Sequence, residues 1–332
     1  MIAQLDGAYA RARPWKAVTR VLSWAFFEGR PVTSRLHWIN PAVLALLRVA
    51  RRAPEPAEPV APVYIVGTGR SGTTVLGKIL SLHPDVGFLN EPKAMWHVIH
   101  GREDLVGNFT LGPASYRLGA DEATERVRAN ARRVFGVYSR MVGAGRVLDK
   151  YPEMVFRIPF VRAIFPDARF LFLVRDGWDT LRSMDTWSDR HGVYRAGRWC
   201  DWWGVEDRKW RLLIDQVAAR EEGLDLDAAR LKGIDDERSR AAVEWLLTMR
   251  EGMRHLEDGD APVELVRFED VTRGPTRTLE RILEFCGLSH DDGMLGYGAS
   301  ELEAVPHKEP VELRPGIERP FLETMERMGY TR

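Results

Sequence analysis

Apolar residues run along this chain in two rhythms. Val63-Tyr-Ile-Val66 and Arg169-Phe-Leu-Phe-Leu-Val174 are short, almost unbroken runs of β-branched, aliphatic and aromatic side chains, as parallel strands buried on both faces require. Val263 to Phe268 reads as a third strand. Elsewhere apolar positions recur at intervals of three and four, which predicts helices over Val75–Leu82, Glu122–Val142, Trp199–Ala219, Ser239–Leu256 and Thr276–Cys286. Strands separated by helices predict an α/β fold, with a central parallel sheet, right-handed crossovers, flanking helices and helical insertions.

The first 52 residues set Trp15, Trp24, Phe26, Phe27 and Trp38 among arginines, and Pro31 and Pro41 divide them into short amphipathic helices. Two readings of this arm stand side by side: a segment packed on the core, or an interfacial anchor making peripheral membrane contact through its tryptophans and arginines. Ala53-Pro-Glu-Pro-Ala-Glu-Pro-Val-Ala-Pro62 is a proline-rich connector, so the expected division is an arm and connector over 1–60 and the main domain over 61–332.

Charge narrows the function. Lysine plus arginine and aspartate plus glutamate number 48 each, which argues against a nucleic-acid-coating protein and makes any anion site local. Cys200 and Cys286 are the two cysteines, too far apart in sequence to suggest a disulfide framework or a zinc site. No run of 18 apolar residues opens the chain, so the expectation is a cytoplasmic protein, membrane-peripheral if the arm is an anchor. Richness in alanine and arginine suits a bacterial genome.

Chemistry concentrates where strands end. Gly67-Thr-Gly-Arg-Ser-Gly-Thr-Thr74 lies between a strand and a helix and has the glycine spacing of a P-loop, which makes the expected sheet P-loop-like. Thr73, however, stands where a nucleoside-triphosphate loop carries lysine, and the cation moves inside the loop to Arg70. Backbone N–H groups, the helix N-terminus and the hydroxyls of Ser71, Thr73 and Thr74 around Gly72 would together hold a phosphate. Val174-Arg175-Asp-Gly-Trp-Asp-Thr-Leu-Arg-Ser183 follows the second strand, where ligands bind in open α/β sheets. Arg175 and Ser183 could converge there on a second anion, although Asp176 and Asp179 could equally make Arg175 an ion-pair partner.

Taken together, these two segments resemble the PAPS-dependent sulfotransferase family, PAPS being 3′-phosphoadenosine 5′-phosphosulfate. The resemblance covers residues 62 to about 290. Arg70 in the loop, and Phe88-Leu-Asn-Glu91-Pro after the first helix, are more similar to the carbohydrate and tyrosylprotein branch than to the cytosolic phenol and steroid branch. It implies that Arg70, Ser71, Gly72, Thr73 and Thr74 bind the 5′-phosphosulfate and that Arg175 and Ser183 bind the 3′-phosphate. Leu148-Asp-Lys150-Tyr-Pro152 is similar to the family's lysine-containing stretch, which implies that Lys150 contacts the reacting sulfate. The same resemblance implies that Glu91 is the catalytic base. The glycine-rich C-terminal nucleotide loop of the cytosolic enzymes has no match, which leaves the adenine contacts unassigned.

These residues outline a mechanism. Glu91, beside the phosphosulfate loop, would be desolvated and its pKa raised toward working pH, with His97 and His100 as rival bases. Arg70 and Lys150 would neutralise charge building on the transferred group. The run Trp199-Cys-Asp-Trp-Trp203 and Trp210 would either line an acceptor pocket or pack in the core. The expected reaction moves a sulfuryl group from PAPS, with no metal, to a hydroxyl of a glycan, a lipid or another small metabolite. The competing readings are a P-loop kinase and a catalytically silent nucleotide-binding module.

Overall fold

A computed structural model describes residues 3–57, 61–185, 187–224, 227–304 and 306–330. Its frame is a five-stranded, all-parallel sheet ordered β2-β3-β1-β4-β8, made of β1 (Val63–Gly67), β2 (Val86–Asn90), β3 (Arg146–Lys150), β4 (Arg169–Val174) and β8 (Val263–Arg267). Strands β5 (Val193–Arg195), β6 (Arg198–Asp201) and β7 (Gly204–Val205) form a separate antiparallel sheet. The helices are α1 (Gly7–Ala12), α2 (Pro14–Phe26), α3 (Asn40–Ala50), α4 (Thr73–Leu80), α5 (Lys93–Ile99), α6 (Glu125–Val142), α7 (Ile158–Ile164) and α8 (Gly177–Met184). They continue as α9 (Trp187–His191), α10 (Arg208–Gln216), α11 (Ala228–Lys232), α12 (Glu237–Asp258), α13 (Phe268–Arg273), α14 (Pro275–Cys286), α15 (Asp292–Glu301) and α16 (Glu318–Arg327). The α/β fold expected from the alternation of patterns is present.

Strand alternation divides the core into two layers. Tyr64, Val66, Val147, Phe170 and Phe172 point to one face and join side chains of α5, α6, α7 and α12. Val63, Ile65, Leu148, Leu171 and Leu173 point to the other, against α4, α14 and α15. With both faces covered, β1 and β4 carry no polar face, which is why they read as continuous apolar runs.

The arm belongs to these same layers: Tyr9 of α1 packs in one, and Phe27, Val43 and Leu47 pack in the other. Helix α2 lies along β2, an edge strand. Its Lys16 Nζ donates to the carbonyl oxygens of Pro84 (2.8 Å) and Val86 (2.7 Å). Glu28, just beyond α2, accepts from the backbone N–H of Asn90 at 2.8 Å and is paired with Arg20. Side chains of the arm therefore satisfy backbone groups that an edge strand leaves open. The connector expected over Ala53–Pro62 is described only in part, since residues 58–60 lie outside the described residues.

One predicted helix is corrected. Trp199 to Ala219 is not continuous: Arg198–Asp201 is strand, and helix starts only at Arg208. Gly204, Glu206 and Asp207 have positive φ, which no α-helix contains, and Asp201 pairs with Gly204, so that Trp202 and Trp203 form the turn between β6 and β7. Helical spacing of the tryptophans was thus coincidental. Strands β2 and β3 carry no apolar run strong enough to have been singled out.

Candidate functional site

Four strand ends meet at the carboxyl edge of the sheet. Gly67 closes β1, Val174 closes β4, and the register pairs Asn90 of β2 with Lys150 of β3. Because β2 and β3 lie on one side of β1 while β4 and β8 lie on the other, the loops leaving β1 and β4 diverge and open a crevice between them.

Residues 67–74 wrap the amino end of α4. Gly67 has φ of 143°, and a Cβ there would collide with the Leu173 carbonyl oxygen of the neighbouring strand. Gly72, at φ 97°, caps α4 and faces the Phe268 ring, leaving no room for a side chain. Ser71 is fully buried and its Oγ donates to the Thr68 carbonyl at 2.6 Å, so it braces the loop rather than facing the crevice. Gly69, Arg70, Thr73 and Thr74 line the adjoining cavity, with Thr73 and Thr74 in the first turn of α4. Arg70 adopts a left-handed φ of 70°.

The two predicted anion motifs touch. Arg70 Nε donates to Ser183 Oγ of α8 at 3.1 Å. Burial, and then the nearby charge of Arg175, hold the Arg70 guanidinium below its ordinary pKa, so the two arginines face one region. Arg175 stacks on the Phe268 ring, with 4.6 Å from guanidinium carbon to ring centroid, and pairs with Asp179 at 3.6 Å. Its Nε is buried without a hydrogen-bond partner. A buried guanidinium with an unused donor, beside a second arginine, is suited to a multiply charged anion. Asp176, Asp179 and His307 lie near each other by Arg175, but Asp179 is already engaged by Arg175 and the Lys308 N–H.

Glu91 and Lys150 lie across the crevice. Glu91 leaves β2 with a left-handed φ of 49°, and its N–H donates to the Lys150 carbonyl at 2.7 Å. Lys150 Nζ in turn donates to Glu91 Oε1 at 2.5 Å. Lys93 lies 3.3 Å from the other carboxylate oxygen. Beyond it the charges continue to alternate through Glu153 to Lys209 (3.3 Å) and from Lys209 to Glu244 (2.6 Å). Trp202 Nε1 donates to Glu244 at 2.9 Å, and the Lys209 ammonium sits 4.7 Å from the centroid of the Trp202 ring.

The electrostatics correct one expectation. Burial raises the Glu91 carboxyl, but the Lys150 and Lys93 ammonium groups outweigh it and hold the carboxyl well below the ordinary carboxylate range. Desolvation therefore does not lift Glu91 toward neutrality. Burial likewise works against the charges of Glu153 and Lys209, yet opposite neighbours keep Glu153 low and Lys209 high.

Glu91, Lys150 and Arg70 all line a cavity of about 490 Å³, together with Trp24, Phe109, Phe156 and Trp187. His97 and His100 do not line it: His97 packs on Phe109, His100 packs on Phe160, and burial lowers both imidazoles. Of the tryptophan run, Trp202 reaches the cavity. Trp203 and Trp210 are buried against one another, and Trp199 lies tilted against Tyr194. Lys209, which with Arg195, Arg198 and Arg208 reads from the sequence as a solvated face, is instead 3% exposed and ion-paired, and Lys93, Glu153 and Glu244 were not singled out, because lone charged residues in helical patterns read as solvated.

A parallel sheet with a glycine loop and two neighbouring arginines at its carboxyl edge is the architecture of a P-loop-like fold. A profile described as the Sulfotransferase family matches residues 62–234, more than half of the 332 residues, and the chain belongs to this family. It is similar to the nodulation protein NoeE of Sinorhizobium fredii, 26% identical over 249 residues that cover 72% of this chain and 53% of NoeE. It is also similar to a protein-tyrosine sulfotransferase of Drosophila melanogaster, 30% identical over 125 residues that cover 37% of this chain and 24% of the fly protein. The chain thus spans about half the length of NoeE and about a quarter of the fly protein. Among solved structures, the sulfotransferase STF1 from Mycobacterium tuberculosis H37Rv aligns with 98% of this chain and 94% of its own, at 14% identity and a TM-score of 0.48.

Proposed function

We propose that the protein transfers the sulfuryl group of PAPS to an acceptor hydroxyl and releases 3′-phosphoadenosine 5′-phosphate. The observation that carries this reading is the contact of Arg70 with Ser183, which joins the glycine loop to the Arg175 segment as one site for a doubly phosphorylated ligand. The mouse sulfotransferase SULT7A1, similar to this chain at 13% identity and a TM-score of 0.38, is described as complexed with PAP. A kinase reading is less well served, since Thr73 stands in place of the P-loop lysine.

The donor supplies an electrophilic sulfur and a bisphosphate leaving group. The loop from Gly67 to Thr74 and the amino end of α4 hold its 5′ end, and Arg175 with Ser183 holds its 3′-phosphate. Lys150 neutralises the oxygen from which sulfur departs. Glu91 takes the acceptor proton as the acceptor oxygen bonds to sulfur, and the breaking S–O bond leaves its electron pair on the 5′-phosphate. The depressed pKa of Glu91 is compatible with this role through exchange of partners. Sulfate oxygens compete for the Lys150 ammonium, and as Lys150 turns to them Glu91 loses the stronger of its two stabilising charges and becomes more basic.

The acceptor enters a cavity walled by Trp24, Phe109, Phe156, Trp187 and Trp202, with the Glu153–Lys209–Glu244 chain on one side. Aromatic faces with fixed charges suit a hydroxyl-bearing carbohydrate, lipid or other small metabolite. Incubation of the purified chain with PAPS labelled in the sulfuryl group and a cell extract tests the reading. Transfer of label to an alkali-stable sulfate ester is the expected result, and hydrolysis alone, or label retained in PAPS, overturns it.

A further inference from the structure

We infer that helices α2 and α3 dock this protein on an anionic membrane surface. Helix α2 is inverted. Its buried face is polar: Lys16 and Arg20 serve the edge strand, and Ser23 bonds to the Tyr138 hydroxyl at 2.9 Å. The opposite face is therefore left to apolar side chains, with Trp15 45%, Val18 60%, Val21 39% and Phe26 40% exposed. These lie along one side of the helix at intervals that α-helical geometry brings together.

Neighbouring elements of the arm expose apolar side chains too. Trp38 is 73% exposed and Val49 of α3 is 63% exposed, and Leu46, Val49, Val137 and Met141 line an apolar groove between α3 and α6. Leu36, on the short turn before α3, is exposed and also lines the rim of the candidate catalytic cavity, so the surface adjoins the site. Lone exposed apolar residues need no explanation, but a continuous stripe on a helix with a polar buried face does.

Charge selects the occupant. Between residues 7 and 53 the chain has nine lysines and arginines against a single glutamate, Glu28, although the whole chain balances at 48 of each sign. Glu28 is buried against Arg20, whereas Arg11, Arg35, Arg48 and Arg52 are exposed. An isologous dimer through this face would set those arginines against their own copies. Anionic headgroups instead complement them while the acyl boundary takes the valines and aromatic rings.

Flotation of the full chain with phosphatidylcholine vesicles, with and without phosphatidylglycerol, tests the assignment. Wild type is expected to float with the anionic vesicles and to be released by salt. Val18→Asp with Phe26→Asp should lower partitioning by ~10-fold or more, since each loses the burial of a whole apolar side chain. Arg48→Glu with Arg52→Glu should lower binding to anionic vesicles by ~10-fold or more while leaving any binding to neutral vesicles unchanged. Trp38→Ser, on a separate element, gives an independent third variant, and unchanged thermal unfolding shows that each variant is folded. No flotation of wild type, flotation equal for all variants, or a wild-type dimer in gel filtration that Val18→Asp with Phe26→Asp converts to monomer, overturns the inference.

Discussion

At the Glu91 carboxylate two ammonium groups compete with burial and win. Under the proposed mechanism, Glu91→Gln should lower kcat by about 10² to 10⁴ while changing the affinity for 3′-phosphoadenosine 5′-phosphate little, as rate assays and calorimetry would measure. Lys93→Met gives a sharper readout. It removes the smaller of the two cations but leaves Lys150 for the donor, so the Glu91 carboxyl should rise toward its ordinary range. The base works only when ionised, so the acid limb of kcat/KM, at low pH in wild type, should move to higher pH in Lys93→Met. An unmoved limb would count against Glu91 as the titrating base. At this scale the glycine loop, Arg175 and Ser183 were legible because each comes from a contiguous motif. Lys93, Glu153, Lys209 and Glu244 come from four separate elements, and only the folded chain brings their charges into one row.

At the level of elements, sequence pattern reads well where one physical demand acts and badly where two compete. Strand β1, strand β4 and helix α14 are buried in one regular way, and their limits were read to within a residue or two. The stretch from Trp199 to Val205 answers a different demand: β6 and β7 pair as a hairpin whose turn, Trp202-Trp203, presents Trp202 against Gly69 and the cavity. Helix α2 shows the same competition, because its buried face serves the carbonyls of β2. Lys16→Met should therefore cost on the order of 1–3 kcal/mol, since the buried Val86 carbonyl oxygen and the half-buried Pro84 carbonyl oxygen lose their donor. Chemical denaturation would measure it. In the glycine loop, Gly72→Ala should be destabilising by about 1–3 kcal/mol, because a left-handed cap pressed on Phe268 has no room for a methyl group.

Across the whole molecule, the sheet carries polar groups in places that make folding depend on pH. Asp149 of β3 is fully buried, with one carboxylate oxygen accepting from Trp96 Nε1 at 2.8 Å and the other without a partner. Burial pushes its pKa up to about 8, and burial also lifts Glu103, bonded to the Tyr151 hydroxyl, to about 7. Both folded values lie above the unfolded ones, so the native state binds these protons more tightly than the unfolded chain does. Their stabilising effect is complete below about pH 4 and is lost as pH rises through 7 and 8. Other carboxylates, Glu91 and Glu251 among them, are held low and act in the opposite sense at acid pH, so the profile should peak between the two regimes. Asp149→Asn isolates the first effect. It keeps an acceptor for Trp96 and cannot ionise, so its unfolding free energy should exceed that of wild type above pH 8 by on the order of 5 kcal/mol, with the advantage fading as pH falls toward 5. Denaturant titrations across that range would register the convergence, and a constant offset between the two proteins would show that Asp149 is not the group that titrates.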